Sequence, residues 1–501
     1  MTPILSRWQA LILHPDRRIG ALAVAALCLG SALLVGLYTA LLGPLFALAG
    51  AVGLAAGLLM LRSVRWGLTA LIAISTLLPF ATLPFKIGIT PTFLDLALLA
   101  VYFVWVMRLA TRRQGRIVGS SLGPFVAAFL ALALFAFAAG MAHANPTATT
   151  LRRFAEIILS ILLFFVAVNF ARDERELTWL VRVILITGFG ASLAAIVLYI
   201  IPEAWSIRIL SSLGRFGYPT GNVLRYIEDD PANPMRAIGT SVDPNVLGGL
   251  LILIGALTAS QLFATRPLLP RGLVAAMMGA AGLALYLTYS RGSMVGLVAA
   301  LLFLATIRYR QMLAVLALGG ALLLTLPPAQ GYIGRFVEGL SGLDRATQMR
   351  FGEYRDALIL IRRYPWIGVG FAGTPDIDTY IGVSNVYLLI AEQMGLVGLT
   401  VFLGTMGLFF LLVARAWLRV GLGPEREPIL LGLSGAVVGV LVGGLFDHYL
   451  FNLAYPHMAG LFWLYLGLAV AAASAREEPD AHEAIRLAGR PCDRSSKRGV
   501  I

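Results

Sequence analysis

The chain has 501 residues, of which 59% are hydrophobic and 13% are charged. Soluble globular proteins carry about 25% charged residues, so this composition excludes an ordinary soluble fold and indicates an integral membrane protein. The formal net charge of +13 invites a nucleic-acid interpretation, but the basic residues gather in short loops between apolar runs, where they report membrane topology. Cys28 lies in an apolar run and Cys492 in the tail, which predicts no disulfide framework.

Apolar runs long enough to cross a bilayer recur along the whole chain. A spanning helix needs about 20 mostly apolar residues, and these runs lack the alternation that is typical of strands. We predict an all-α polytopic membrane protein of about 12–14 transmembrane helices, because the pairs 19–61 and 271–307 are the easiest to miscount. The spans are predicted at 19–39, 43–61, 66–85, 92–110, 122–142, 154–171, 177–201, 242–265, 271–289, 292–307, 311–327, 386–414, 428–447 and 456–474.

The distribution of arginine predicts the orientation of these spans. Arginines cluster in alternate loops, whereas the short loops between those clusters hold one basic residue, Lys86. Basic loops are typical of the cytoplasmic side, so we predict cytoplasmic termini and two long loops outside. The chain then divides into N-terminal spans (1–201), a first outer loop (202–241), a second membrane region (242–475) that includes the outer loop 328–385, and a basic tail predicted to be disordered (476–501).

Two arginines stand close to the outer ends of predicted spans. The first outer loop is rich in Gly, Pro, Asn and Asp, which predicts turns with little regular structure. It ends in Arg236 and in Asp243-Pro244, a helix cap signal. Arg291 lies between two apolar runs with almost no loop. A charge there is costly unless it is paired or serves a polar cavity, so a functional Arg291 is favoured over one that snorkels to headgroups.

The second outer loop predicts an interfacial helix. Ser341–Asp344 match a capping box, and Pro365 ends the helix that follows. The helix would present Arg350 or Arg355 away from its apolar face, and such arginines can also pair with nearby carboxylates or phospholipid. The residues predicted to form the apolar face are Phe351, Tyr354, Leu358 and Ile361.

The last outer turn, 447–457, holds two of the five histidines of the chain. Histidine exchanges protons near neutral pH, which makes His448 and His457 candidate bases beside Asp447. Adjacent residues on a helix do not face each other, so Asp447 is not expected to orient His448 directly. The alternative interpretation is an aromatic belt of interfacial His and Tyr side chains.

Few charges lie within the spans. Asp95, Glu156 and Glu392 would suit a transporter if they met at mid-depth, because transporters use such relays. No metal-ligand spacing, Walker loop or GxGxxG motif is present, which predicts neither a metal nor a nucleotide cofactor.

Four motifs, taken in order, resemble those of the bacterial O-antigen ligase and polysaccharide polymerase superfamily. The long outer loop precedes the last of them, as it does in that family. The motifs are Arg236 with 243–247; Tyr289-Ser290-Arg291-Gly292; Arg350 with 364–370; and 384–388 with Glu392 and 395–399.

This resemblance implies a metal-independent glycosyltransferase of the bacterial inner membrane, with its active face in the periplasm. Such enzymes take a glycan from an undecaprenyl-diphosphate carrier and pass it to an acceptor hydroxyl, on another lipid-linked glycan for polymerases or on lipid A core for ligases. The resemblance assigns the donor diphosphate to Arg236 and Arg291, and we expect Arg350 and Arg355 to assist. Arginine suits this role because its fixed fork is permanently charged.

The chain departs from the family at the residue expected to activate the acceptor. Where the family motif reads His-Asn, this sequence reads Ser384-Asn385, and a serine hydroxyl is a poor base near neutral pH. We expect the base to be His448 or His457, with Asp447 beside it, and Ser384 and Asn385 to orient the acceptor. A late proton loss from the acceptor would instead require little help from a base.

Two further alternatives come from other classes of protein. One is a transporter or flippase for lipid-linked sugars, and the other is a catalytically inactive scaffold for polysaccharide assembly. Clustering of Arg236, Arg291 and the histidines of the last turn would favour the enzyme, whereas their separation would favour the transporter or scaffold.

Overall fold

The computed structural model describes residues 14–83, 90–111, 117–325, 334, 341, 345–374, 382–418 and 422–474. Within these ranges the chain forms sixteen α-helices and one short β-hairpin. The helices are α1 Arg17–Leu42, α2 Pro44–Arg62, α3 Val64–Leu77, α4 Phe93–Ala110, α5 Gly123–Gly140, α6 Ala148–Phe170, α7 Glu174–Ile200, α8 Glu203–Ser212, α9 Pro244–Leu262, α10 Arg271–Leu287, α11 Arg291–Ile307, α12 Gln311–Thr325, α13 Arg345–Arg363, α14 Val386–Leu418, α15 Arg426–Gly443 and α16 Pro456–Ser474.

These helices confirm an all-α polytopic membrane protein. Each of the fourteen predicted spans coincides with one helix, and eight of the helices are long and apolar enough to cross a membrane by length and composition. The two easily miscounted pairs are each two helices, divided at Gly43 and at residues 288–290. The third span is shorter than predicted, because α3 ends at Leu77 and the chain turns into a bridge between Thr82 and Thr92.

The first outer loop has more regular structure than its composition predicts. It begins with α8, which is anchored where the Ser206 hydroxyl donates to the Leu198 carbonyl at 2.6 Å. It continues into an antiparallel hairpin of β1, Arg225–Tyr226, and β2, Met235–Arg236. The prediction of turns with little regular structure missed α8 and the hairpin, whose strands are joined by the turn-forming residues between them.

A helix, α13, forms in the second outer loop where an interfacial helix is predicted. Residues 342–344 of its predicted capping box lie outside the described residues. The tail 475–501, which includes the segment predicted to be disordered, also lies outside them.

Helices α9, α15 and α16 form the centre of the bundle. About nine-tenths of the residues in the apolar stretches of α9 and α16 are buried inside the protein, and 72% of those in the apolar stretch of α15 are buried. Small residues allow the helices to approach closely, as is common in membranes. At Gly296 on α11, for example, an added Cβ would lie 2.6 Å from the Gly439 carbonyl oxygen on α15. The central helices therefore pack closely against their neighbours.

Loops at one end of the bundle are joined by ion pairs. Arg65 Nε lies 2.8 Å from Glu176, Arg308 lies 2.9 Å from Glu427, and Arg426 Nε lies 3.0 Å from Glu174. These residues lie in or beside the arginine-rich loops that we predict to be cytoplasmic. The residues predicted to act on substrate lie at the opposite end, which we call the site end. Which end faces the cytoplasm remains a prediction.

Helix α14 is broken at Gly395, and a neighbouring loop repairs the break. Gly395 has φ 68°, a left-handed value that glycine adopts without strain. The carbonyls of Glu392 and Gln393 accept hydrogen bonds from Val369 N–H at 2.9 Å and Gly370 N–H at 3.0 Å. Unpaired backbone groups are costly at membrane depth. Segment 365–370 therefore stabilises α14, because it supplies hydrogen bonds to carbonyls beside the break.

We expect Gly370→Ala to destabilise the protein. Gly370 has φ 80°, and its added Cβ would lie 2.7 Å from the Gly140 Cα and 2.8 Å from the Ala136 carbonyl oxygen. A left-handed non-glycine residue costs about 1–3 kcal/mol, and the contact with α5 adds to this. Thermal unfolding of the purified protein in detergent measures the change.

Gly407→Ala is the matched control, because Gly407 lies on the exposed side of α14 and an added Cβ would meet open space. Equal melting temperatures for the two variants would show that segment 365–370, packed against α14 and α5, does not stabilise the fold.

Candidate functional site

The site end begins at the N-terminus of α9. Asp243 caps this helix, because its Oδ1 accepts hydrogen bonds from Asn245 N–H at 2.7 Å and Val246 N–H at 3.2 Å. Pro244 occupies the first helical position, where its missing N–H has no cost. The predicted cap is therefore present. This cap lies at the start of α9, next to the residues that follow the hairpin.

Arg236 is fixed between α9 and the α10–α11 turn. Its Nε donates to the Thr288 carbonyl at 2.8 Å, and its Nη2 donates to Asn245 Oδ1 at 2.9 Å. The side chain is half-buried, and its backbone belongs to β2. The guanidinium is thus held in one orientation by two separate elements. A preorganised cation of this kind suits an anionic ligand.

Arg291 is the first residue of α11, and it follows the same turn that Arg236 contacts. The turn is tight: Tyr289 has φ 55°, and Ser290 N–H donates to the Thr288 hydroxyl at 3.1 Å. The positive end of the α11 helix dipole adds to the charge of the half-buried Arg291. The two arginines therefore flank one turn and the N-terminus of one helix.

The turn between α15 and α16 lies against the start of α11. An added Cβ on Gly292 would lie 2.7 Å from Phe446 Cβ. Next along the chain, Asp447 Oδ1 accepts from the His448 backbone N–H at 2.7 Å and lies 3.6 Å from His448 Nδ1. These residues lie in the loop between α15 and α16, and His448 Nδ1 has no hydrogen-bond partner within the described residues, so direct orientation of His448 by Asp447 is not seen.

Burial and nearby charges act on the Asp447 carboxyl. Burial raises the pKa of Asp447 above its ordinary value, and repulsion from Asp243 adds to this effect. His448 and Arg350 oppose the rise. Asp243, the cap of α9, and Arg350 on α13 therefore lie close enough to the last turn for their charges to act on Asp447. The His448 side chain keeps 23% exposure, so its imidazole is reachable from the site end.

His457 occupies a different environment. It lies in the first turn of α16, is 1% exposed, and packs edge-on against Phe80 at 5.1 Å between ring centroids. Tyr455 contacts the same imidazole at 6.4 Å. Neither ring nitrogen of His457 has a hydrogen-bond partner within the described part of the chain. The structure therefore separates the two histidines that the sequence left equivalent.

One face of α13 packs against the site end. The Tyr354 hydroxyl lies 3.4 Å from the carbonyl oxygens of both Ser384 and Leu445, and Glu353 accepts from Ser384 N–H at 2.9 Å. Arg350 is one turn earlier on the same face and is half-buried. Burial raises the pKa of Tyr354, with Arg350 opposing the rise, so the phenol remains a hydrogen-bond donor.

The residues predicted to form the apolar face of α13 differ in their exposure. Tyr354 faces the site, whereas Phe351 and Leu358 are 58% and 46% exposed. Arg355 is exposed and falls between these two at helical spacing, so it points away from Arg350. The contact of the exposed side chains with a membrane interface stays a prediction.

Ser384 and Asn385 begin α14 beside the last turn. Asn385 Oδ1 accepts from Tyr387 N–H at 2.9 Å and Leu388 N–H at 3.0 Å, so Asn385 caps the helix. Its Nδ2 donates to the Leu445 carbonyl at 3.0 Å. The segment that replaces the family His-Asn motif is therefore bonded directly to the segment that carries Asp447 and His448.

The charges within the spans form two separate groups. Arg152 Nη1 bridges Asp95 Oδ2 at 3.1 Å and Glu156 Oε1 at 2.8 Å. Glu392 is fully buried on α14, and its charged neighbour is Asp356 on α13. The three carboxyl groups are thus divided between an ion network at α4–α6 and the broken helix α14.

The predicted site residues therefore fall into three sets. Those around the site-end turns are Arg236, Arg291, Arg350, Ser384, Asn385, Asp447 and His448. His457 is buried behind Tyr455, and Arg355 is exposed on the far side of α13. Asn245 and Tyr354 were missed, although Tyr354 follows Arg350 by four residues, a spacing that indicates a shared helical face. Within the described ranges, no group of three or more His, Cys, Asp or Glu side chains could hold a metal ion.

Comparison with known proteins agrees with the motifs. No curated protein matches the chain. Residues 273–403 match the family model described as O-antigen ligase. The matched region runs from α10 through the broken part of α14, so it includes Arg291, Arg350 and the Ser384-Asn385 segment. The match agrees with the resemblance of this part of the chain to the O-antigen ligase and polysaccharide polymerase superfamily.

Proposed function

We propose that the protein is an inner-membrane glycosyltransferase that moves a glycan from an undecaprenyl-diphosphate carrier to an acceptor hydroxyl. The observation that carries this proposal is the position of Arg236 and Arg291 around one turn, next to Asp447 and His448. In such a site the two arginines can bind an anion, and His448 beside Asp447 can accept a proton. Both polymerases and ligases of the family use this chemistry.

The donor diphosphate would bind to Arg236 and Arg291 at the N-terminus of α11. In the reaction the bond between the anomeric carbon and the phosphate oxygen breaks, and negative charge develops on the leaving diphosphate. Arginine forks and the helix N-terminus stabilise that charge most strongly where it grows. No metal is needed for this stabilisation.

Arg350 would assist these two arginines, because it shares a face of α13 with Tyr354 and acts on Asp447. We assign Arg355 to the membrane interface, where it would lie with Phe351 and Leu358. The two arginines receive different roles because they lie on different faces of α13.

His448 would take the proton of the acceptor hydroxyl as its oxygen bonds to the anomeric carbon. Asp447 would hold the imidazole and stabilise the positive charge that it gains. His448 is preferred to His457 because only His448 is exposed to the site end. The Ser384 hydroxyl and the Asn385 amide would orient the acceptor from the neighbouring segment.

The site end would face the periplasm, with both termini in the cytoplasm, because the opposite loops carry most of the arginines. The transporter alternative requires Asp95, Glu156 and Glu392 in one path. Arg152 joins only the first two of these carboxyl groups.

We expect Arg291→Ala to lower kcat/KM for glycan transfer by about ten- to a hundredfold, since a hydrogen bond to a charged group contributes about 1.5–3 kcal/mol. Arg291→Lys should recover part of the loss, because it keeps the charge but not the fork. The measurement uses purified protein in proteoliposomes with a lipid-diphosphate-linked oligosaccharide, without added metal or ATP. Longer lipid-linked chains identify a polymerase, and a conjugate with added lipid A core identifies a ligase.

Arg362→Ala is the matched control, because Arg362 is an exposed arginine of α13. Full activity of Arg291→Ala would reject the diphosphate assignment. No product from the wild-type protein with several donors and acceptors would shift the evidence to a transporter or a scaffold.

We expect His448→Ala to lower kcat by about 10²–10⁴-fold, the usual contribution of a general base. In the wild type, protonation of the base causes activity to fall on acidification, and this fall should disappear in His448→Ala. The pH dependence of kcat in proteoliposomes measures both effects.

His457→Ala is the control for this prediction. It removes a buried imidazole, so it should lower thermal stability and leave the shape of the pH profile unchanged. A wild-type profile in His448→Ala would exclude His448 as the base.

A further inference from the structure

Arg225 is a further arginine of the hairpin, and the proposed mechanism does not use it. In the β1–β2 pair it lies directly opposite Arg236. Directly opposed residues of an antiparallel pair project from the same face, with their Cβ atoms about 4.5–5.5 Å apart. Arg225 is half-buried, as Arg236 is. The register of the hairpin therefore places a second guanidinium side chain beside the one that we assign to the donor diphosphate.

Each arginine of this pair is held by a backbone carbonyl. Arg225 Nε donates to the Val242 carbonyl at 3.5 Å, and Arg236 Nε donates to the Thr288 carbonyl at 2.8 Å. The bond of Arg225 uses one of the five N–H donors of its guanidinium. It therefore orients the group and does not occupy the terminal nitrogens, which suit an anion.

The turn that Arg225 contacts is strained. Val242 has φ 63°, a left-handed value that is an outlier for a β-branched residue. Strain of this kind collects at active sites and ligand clamps. The next residue, Asp243, caps α9. Arg225 thus contacts a strained turn before α9, just as Arg236 contacts the turn before α11, where Tyr289 has φ 55°.

Tyr455 links Arg225 to the proposed base. Burial raises the pKa of the Tyr455 hydroxyl, and repulsion from Asp243 and Asp447 adds to the rise. Arg225 is among the cations that oppose it, so it lies close enough for its charge to act on Tyr455. The Tyr455 ring centroid is 6.4 Å from that of His448. The reaction requires such closeness, because the acceptor oxygen and the leaving diphosphate oxygen bond to the same anomeric carbon.

The opposed arginines favour an anionic ligand of high charge. Like charges directly opposite each other destabilise a strand pair. The nearby carboxylates have other partners, since Asp243 caps α9 and Asp447 accepts from the His448 backbone N–H. A diphosphate diester carries two negative charges, and a third develops when its bond to the anomeric carbon breaks. Such a ligand would offset the repulsion and accept hydrogen bonds from both guanidinium groups.

We propose that Arg225 binds the donor diphosphate together with Arg236, as the second member of an arginine pair across the β1–β2 hairpin. The inference rests on the proposed function for the identity of the donor. When the bond to the anomeric carbon breaks, its electron pair goes to the diphosphate oxygen, and Arg225 stabilises the charge that the diphosphate gains.

Arg225→Gln tests anion binding with little change to the backbone contact. The Nε2 atom of Gln is as many bonds from the main chain as the Nε atom of Arg, so it can donate to the Val242 carbonyl without charge or fork. The probe is farnesyl diphosphate, with the full chain in phosphatidylcholine nanodiscs. Its Kd should rise about ten- to a hundredfold, the effect of losing a hydrogen bond to a charged group. Arg225→Lys should raise the Kd less, because it keeps the charge.

Arg208→Gln is the matched control, because Arg208 is an exposed arginine of the same outer loop, with its guanidinium over the Trp205 ring. It should bind the probe as the wild type does. Equal affinity of the wild type and Arg225→Gln for the probe would overturn the proposal. Equal losses of binding and of melting temperature in Arg225→Gln and Arg225→Lys would also overturn it, because Arg225 would then act through the backbone.

Competition distinguishes a diphosphate from a lipid headgroup. Inorganic pyrophosphate should displace the probe from the wild type, whereas phosphatidylglycerol added to the nanodiscs should not. Displacement by phosphatidylglycerol in the wild type and not in Arg225→Gln would make Arg225 a headgroup contact and reject the proposal.

Glycan transfer in proteoliposomes separates this proposal from the proposed function. Arg225→Gln should lower kcat/KM for the donor by about ten- to a hundredfold. A wild type that binds the probe through Arg225 and transfers no glycan would reject the transferase and keep the diphosphate site. Transfer by the wild type, with both transfer and probe binding unchanged in Arg225→Gln, would keep the transferase and reject the role of Arg225.

Discussion

The hydrogen bonds of Asn385 hold the site end together. Its Oδ1 caps α14, and its Nδ2 binds the Leu445 carbonyl just after α15. Val386 N–H adds a bond of 2.8 Å to the Gly444 carbonyl. Together these bonds fix the start of one membrane helix to the end of another, so the turn that carries Asp447 and His448 has a defined position. The geometry of the proposed base therefore depends on a residue that does not itself exchange protons.

The membrane explains why the polar residues lie at helix ends. Unpaired polar groups are costly in hydrocarbon, and helix ends are where side chains can both satisfy the backbone and reach water. Asp243 and Asn385 do so as caps, and Arg291 begins a helix. The break at Gly395 obeys the same constraint, since segment 365–370 supplies the partners that the helix lacks. In this protein the requirement for backbone hydrogen bonds thus determines where chemistry can occur.

The sequence predicted the spans well because bilayer thickness imposes a length of about 20 apolar residues. It did not predict α8 or the hairpin of the first outer loop, since turn residues do not reveal whether they close a hairpin. The bond between Arg236 and Asn245 depends on the register of that hairpin and could not be predicted. His448 and His457 could not be separated either, because the burial of His457 results from packing against Phe80, which lies far away in sequence.

The backbone holds Ser384 in place at the position where the motif that the sequence resembles has a histidine. Ser384 is held through its backbone: its N–H donates to Glu353, and its carbonyl lies near the Tyr354 hydroxyl. Its side chain is therefore not required for the position of the segment. Because Asn385 binds Leu445, an imidazole supplied at position 448 enters the same region from the adjoining turn. In the proposed mechanism the base lies at position 448, on the segment that is bonded to the one carrying Ser384.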